Sequence, residues 1–279
     1  MDWVFLVEKG GRQLSLPAGA KQIVRGALPG ALGNKLWYGL VMPRAAKQCD
    51  AAVVMTGGAV SLKRPVCHWK LTDKGLIFSF NGRDARVPLA PDEGVQPMEM
   101  EKREKLKTTI ADGREYFFAD VTGAGASKVM SLLKAFSLFK KRQRSNMKLV
   151  LAGAGAIDKL DSYKYREDVC LYPERTSGQM EAAYAVIRLP RKDELGISIL
   201  NAWRARVPVI MVGKLPKTFQ EEAIIQVGPD DNASLADALK TLYKDEGRRN
   251  ELIEKGVLGV AGLGIRQSAA VIEDLVRKI

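Results

Sequence analysis

Residues 182–216, AAYAVIRLPRKDELGISILNAWRARVPVIMVGKLP, gather the residue types of this chain that could do chemistry together. An apolar strand over Tyr184–Leu189 is followed by a polar turn, Pro190–Glu194, and by a helix that opens at Leu195–Gly196. A second apolar strand, Pro208–Val212, closes the unit. Strand, turn, helix and strand make one right-handed crossover of a parallel sheet, and such sheets take ligands at the carboxyl ends of their strands. A helix start at that edge presents N–H groups with no intrahelical partner, here those of Gly196, Ile197 and Ser198, to an anion such as phosphate. The glycine allows a close approach to the backbone. Any α/β protein contains crossovers of this kind, so the spacing alone leaves a phosphate site and a plain crossover both open.

A second turn, Thr122-Gly123-Ala124-Gly125-Ala126-Ser127-Lys128, lies between a strand over Tyr116–Val121 and a helix over 127–144. Gly-x-Gly without a third glycine and an acidic partner is no dinucleotide fingerprint, and Lys128 by itself reads as a first-turn lysine. His68 is the one histidine, in a strand beside Trp69. A single histidine gives no Ser-His-Asp or Cys-His pairing, and no metal-ligand spacing is present. The three cysteines, Cys49, Cys67 and Cys170, are scattered, which argues for reduced thiols rather than a zinc site or a disulfide frame.

The elements that position these residues follow from the pattern. With 279 residues, 46% of them apolar and 27% charged, the chain is long enough for one large or two modest cores. Strands are expected over Trp3–Glu8, Gln22–Gly26, Ala51–Thr56, Pro65–Trp69 and Ile77–Gly82, with a helix over 34–48. Residues 83–98, with three prolines, read as a linker. Beyond Glu99, helices and strands alternate to the end, ending in an amphipathic helix over Gln267–Ile279, and this alternation predicts a doubly wound parallel sheet.

The formal net charge of +12 suits an anionic partner. The densest basic run, Lys134 to Lys148, alternates with Phe136, Leu138 and Phe139 as on an amphipathic helix whose last-turn cations complement the helix dipole. Nothing there makes a stacking platform for bases, which disfavours nucleic acid and leaves an anionic membrane surface or a nucleotide diphosphate open. No apolar run approaches the roughly 18 residues a membrane helix needs, and the start, MDWVFLVEKGG, lacks a basic n-region and a cleavage site. The expectation is a cytoplasmic protein, with peripheral attachment to a membrane as the variant that the charge admits.

The stretch Asp193-Glu-Leu-Gly-Ile-Ser-Ile-Leu-Asn201-Ala-Trp, followed by Arg206-Val-Pro-Val-Ile and Leu215-Pro-Lys, resembles the donor-binding core of glycosyltransferase family four, retaining sugar transferases of the GT-B fold. The family pattern runs Glu-Gly-Phe-Gly-Leu-Pro-x-Leu-Glu-Ala-Met, then Gly-Val-Pro-Val-Ile, then Leu-Pro-Glu. The resemblance covers about 230 residues. It implies an α/β protein of GT-B type with two Rossmann-like domains: an abridged acceptor-type domain with linker over 1–95, and a nucleotide-sugar-binding domain over 96–279. The implied reaction moves a sugar from a nucleotide-diphosphate sugar to a glycan or lipid-linked acceptor, with retention and with no metal or other cofactor. Catalysis is assigned to Asp193 and Lys128, and donor binding to Gly123, Lys128, Leu195, Gly196, Ile197, Ser198 and Asn201. The resemblance also implies that the C-terminal helix crosses back to the N-terminal domain. The chain departs from the pattern where Asp193 and Asn201 replace the family's two glutamates. Small residues, Ala124 to Ala126, stand where its Gly-Arg-x-x-x-x-Lys turn has the arginine. The departures keep a second expectation open, a non-catalytic relative acting as a binding or scaffold subunit in glycan assembly.

Overall fold

The computed structural model describes residues 4–8, 21–25, 44, 47, 52–53, 66–72, 75–80, 82–154, 157, 160–189, 196–215 and 219–277. The chain divides into two compact units: Met1–Thr72, Leu76–Val87 and Ala269–Ile279 form the first, and Asp73–Gly75 with Pro88–Ser268 the second.

In the first unit β1 (Val4–Glu8) pairs in parallel with β2 (Lys21–Arg25). A separate sheet runs in the order β3 (Ala52–Val53), β4 (Val66–Thr72), β5 (Gly75–Phe80), β6 (Arg83–Val87). The helix expected over 34–48 falls outside the described residues apart from Arg44 and Lys47. β6 corrects the linker reading of 83–98. The register Phe80↔Arg83 leaves Asn81-Gly82 as the whole connection, the pair that a two-residue hairpin favours, and Gly82 has φ 75°. Of the interval read as linker, only the part beyond Val87 carries no strand or helix before Met100. Cys67, Phe78, Phe80 and Val87 form an apolar cluster with Val271, Ile272 and Leu275 of the last helix, α6 (Ile265–Arg277).

The second unit is built on a six-stranded sheet in the order β12-β11-β10-β7-β8-β9, parallel throughout. These strands are β7 (Tyr116–Asp120), β8 (Lys148–Ala152), β9 (Val169–Tyr172), β10 (Ala185–Arg188), β11 (Val209–Val212) and β12 (Ile224–Val227). Covered on both faces, the central strands are apolar at every position rather than at every other one; YFFA of β7 and VLA of β8 are buried. Successive residues still serve opposite faces. Phe117, Ala119, Leu149, Leu151 and Ile187 pack on α2 (Ala126–Gln143) and α4 (Asn232–Lys244). Tyr116, Phe118, Val150, Val186 and Met211 pack instead on α1 (Met100–Ala111) and α3 (Ile197–Arg204). The spacing of Val129, Leu132, Leu133, Phe136 and Phe139 explains α2, since i, i+3, i+4 and i+7 turn one stripe to the sheet. Phe139 meets Phe117 edge-on at 5.3 Å and Tyr243 at 5.6 Å. α5 (Glu246–Val260) completes the unit; Asp231 and Asp245 cap α4 and α5, accepting from Ser234 and Arg248 N–H.

Two phenols tie loops to this core. Tyr116 donates to the Gln179 carbonyl at 2.7 Å, and Tyr163 to that of Leu133 at 2.8 Å. Burial pushes the Tyr163 hydroxyl from 10.0 up to about 12 and raises that of Tyr116 as well. A group that holds its proton more tightly when folded contributes stability below its unfolded pKa and loses it as pH rises through the folded one. Through these two phenols the unfolding temperature should fall as pH rises from about 10 towards 12, as a pH series of thermal melts would show. A flat profile to pH 12 would refute this.

Candidate functional site

Chain order and strand order together locate the site. From β7 the chain winds outward through β8 and β9, then returns to the other side of β7 and winds outward again through β10, β11 and β12. The reversal falls between β7 and β10, and in doubly wound sheets the ligand crevice lies outside the carboxyl ends of the strands at that point. The two loops leaving those ends are the two stretches singled out in the sequence: Val121–Gly125 leads into α2, and the loop after β10 leads into α3. Topology thus brings Gly123 and Lys128 to the same sheet edge as Gly196, Ile197 and Ser198.

The first loop is held tightly without covering its helix start. Asp120 Oδ1 accepts from Thr122 N–H at 3.0 Å, the Ala124 N–H donates to the Val121 carbonyl, and Gly123 takes the left-handed conformation at φ 69°. Gly123 and Gly125 are exposed and face open space where a side chain would stand. Gly125 caps α2 with no side-chain hydrogen bond, and no acidic residue occupies the first turn. Lys128 stands half-buried in that turn. Gly153, at the end of β8, abuts this loop: its φ is 73°, and a methyl there would overlap Thr122.

The second helix start is similar. Gly196 caps α3 at φ 74°, again with no side-chain cap and no acid in the first turn. The close approach that requires glycine here is made by the protein itself, because a Cβ at Gly196 would lie 2.5 Å from the Phe219 ring. Phe219 in turn packs edge-on against Trp203 at 5.9 Å, fixing the angle at which α3 leaves the sheet. Ile197 is 37% exposed and Ser198 half-buried. Two helices thus point their N-termini to one edge with, among the described residues, no side-chain cap and no first-turn carboxylate, whereas α4 and α5 carry aspartate caps. The partial positive charge at such helix starts attracts an anion.

Asn201, expected at the donor, is engaged within the protein. It is 6% exposed, and its Oδ1 accepts the Asp92 N–H at 2.7 Å. Arg204, one turn on, donates to the Asp92 carbonyl at 3.2 Å and to that of Leu263. The segment after β6 is therefore a strap across α3, and Asn201 is its anchor. Asp193 and Leu195 lie outside the described residues. One residue at this edge escaped the sequence reading: Arg188, the last residue of β10, is only 6% exposed and donates to the Leu189 carbonyl at 3.0 Å. An arginine closing the apolar run Ala185-Val-Ile was the signal, because a guanidinium is rarely buried without a task. Among the described residues no cluster of three histidine, cysteine or carboxylate side chains could hold a metal.

No curated protein sequence gives a significant match to the chain. Among solved structures, WaaG, a glycosyltransferase involved in lipopolysaccharide biosynthesis, is similar with a TM-score of 0.54 and 16% identity over 67% of this chain and 56% of that one. Sucrose-phosphate synthase from Thermosynechococcus elongatus gives 0.57 and 18% over 70% and 52%. A trehalose-6-phosphate protein of E. coli, bound with UDP-2-fluoro glucose, gives 0.51 and 10% over 75% and 56%. The chain spans about half the length of these structures. The architecture is an α/β fold of the GT-B glycosyltransferase type, and residues 123–257, from the glycine of the first loop to the last turn of α5, match the family of Glycosyl transferases group 1.

Proposed function

We propose that the second unit holds the nucleotide diphosphate of a sugar donor at the switch point, and that the chain transfers the sugar to a glycan or lipid-linked acceptor. The observation that carries this reading is the convergence of two uncapped helix starts, with the glycines of one loop facing open space, at the strand ends where doubly wound sheets bind ligands. The E. coli relative bound to a UDP-sugar and the family match over 123–257 support it. In this reading the N–H groups of α2 and α3 and the Lys128 ammonium stabilise the charge that grows on the diphosphate as the glycosidic bond breaks. Gly123, Gly196, Ile197 and Ser198 give backbone contacts, as does Leu195; Asp193 takes the sugar contact. Asn201 contributes by fixing α3 through Asp92, with its second lone pair left for a ribose hydroxyl. No metal takes part.

A thermal-shift screen with UDP, GDP and their sugars tests the reading, since a ligand at 100 times its dissociation constant adds about 2.7 kcal/mol. No shift with any of them would overturn it. Lys128→Ala should weaken UDP by about tenfold or more, the size of a lost charge-assisted hydrogen bond, and leave uridine nearly unchanged. Calorimetric titration of both ligands decides; equal losses, or none, would remove Lys128 from the site.

A further inference from the structure

The opposite edge of the same sheet carries a cavity of about 480 Å³. It lies at the amino ends of β7, β8 and β9, between Arg114 before β7, the end of α2, and the turn Lys164–Asp168 before β9. Five cations and one carboxylate line it. Lys140 belongs to the wall: its Nζ donates to the carbonyls of Ser145 and Met147 and pairs with Asp168 at 2.9 Å. Asp168 is thereby neutralised, and Arg114 approaches it at 3.5 Å. Lys141, Arg144 and Lys164 have no carboxylate partner among the described residues. Cations gathered in one concavity repel one another, a cost that an anion would relieve. A second observation points the same way. Ser145 lines the cavity, is 7% exposed, and its buried Oγ has no hydrogen-bond partner, so a turn about χ1 would offer a ligand a donor.

We propose that this groove is a second anion site, built for a phosphomonoester or diphosphate carried on an organic group. Several convergent cations suit an anion with two or more charges over a carboxylate with one. The volume falls in the range of about 300–1,000 Å³ typical of ligand sites and exceeds what a bare phosphate fills. Tyr165, which carries Lys164 over its ring at 5.6 Å, supplies an apolar wall for the attached group. The site stands apart from the donor site and does not depend on that reading.

The test uses the full chain and a Lys141→Gln/Arg144→Asn/Lys164→Gln variant. These are exposed or rim side chains, and asparagine suits the left-handed backbone at position 144, φ 49°. The single variant Lys164→Gln serves if the triple one does not fold. Pyrophosphate is titrated by calorimetry at low and high salt, and vesicles of phosphatidylcholine, with and without phosphatidic acid, are tested by co-sedimentation. Pyrophosphate affinity should fall by about tenfold or more in the triple variant, with binding weakened by salt. Binding only to phosphatidic acid vesicles, lost in the triple variant, would support the site and assign it to a lipid headgroup. Three results would overturn it: no binding in either arm, equal binding by the triple variant, or equal binding to phosphatidylglycerol vesicles or an oligonucleotide, whose phosphodiesters carry one charge each.

Discussion

A Gly153→Ala variant should lose about 2–5 kcal/mol of stability, read as a lower midpoint of denaturant unfolding. The left-handed backbone at φ 73° costs a residue with a Cβ about 1–2 kcal/mol, whatever surrounds it. The new methyl would also overlap the Thr122 hydroxyl and lie 2.9 Å from the Thr122 Cα, and main chain cannot swing aside like a flexible side chain. Retreat is blocked, because the Val121 N–H donates to the Ala152 carbonyl at 2.8 Å and ties the two strand ends together. Overpacking of this kind adds about 1–3 kcal/mol. Gly123→Ala is the control: it has a left-handed φ of 69° but open space around the added methyl, so it should lose only about 1–2 kcal/mol. Equal losses at the two positions would show that the contact with Thr122 does nothing. Since Thr122 begins the loop into α2, Gly153→Ala should also weaken UDP.

Sugar transfer by the unaltered chain should run well below about 1 per second, the lower end of the usual enzyme range. The resemblance implies a second cation, an arginine, in the loop before Lys128, and that loop here offers Gly123, Ala124, Gly125 and Ala126. Loss of one donor aimed at developing charge costs about 2.7–4 kcal/mol of barrier, or roughly two to three powers of ten in rate. Donor affinity should suffer less than rate, because the helix N–H groups hold ground state and transition state alike. Initial rates of donor hydrolysis and transfer, set beside binding constants, decide the matter. Turnover of tens per second would end the reading of a weakened site.

How far the sequence foretold this depends on what each signal rests on. In the second unit, burial on both faces writes itself as apolar runs, so the strands expected over 116–121, 184–189 and 208–212 fall within a residue or so of β7, β10 and β11. The helix expected over 127–144 is α2, at Ala126–Gln143, for the same reason of period. β6 was missed because Arg83-Asp-Ala-Arg is polar and an edge strand needs little burial; the Asn-Gly pair before it was the better guide. Side-chain commitments at the site were less legible. That Asn201 faces Asp92, 109 residues away, and that Phe219 makes Gly196 obligatory, are tertiary facts with no local trace. The strand order that unites the two loops is likewise a property of the whole sheet.

The first unit closes its apolar cluster with residues from the far end of the chain: Val271, Ile272 and Leu275 cover Cys67, Phe78, Phe80 and Val87. During synthesis the order of completion is therefore reversed. All of the six-stranded sheet and its helices is encoded between Pro88 and Ser268 and can close as soon as it has emerged. The hairpin made long before it must hold Phe78 and Phe80 without their cover until α6 arrives, roughly 10 to 40 s later at about 5–20 residues per second. For that interval the nascent chain exposes the apolar side of a small sheet, the surface that chaperones bind and that other chains aggregate through.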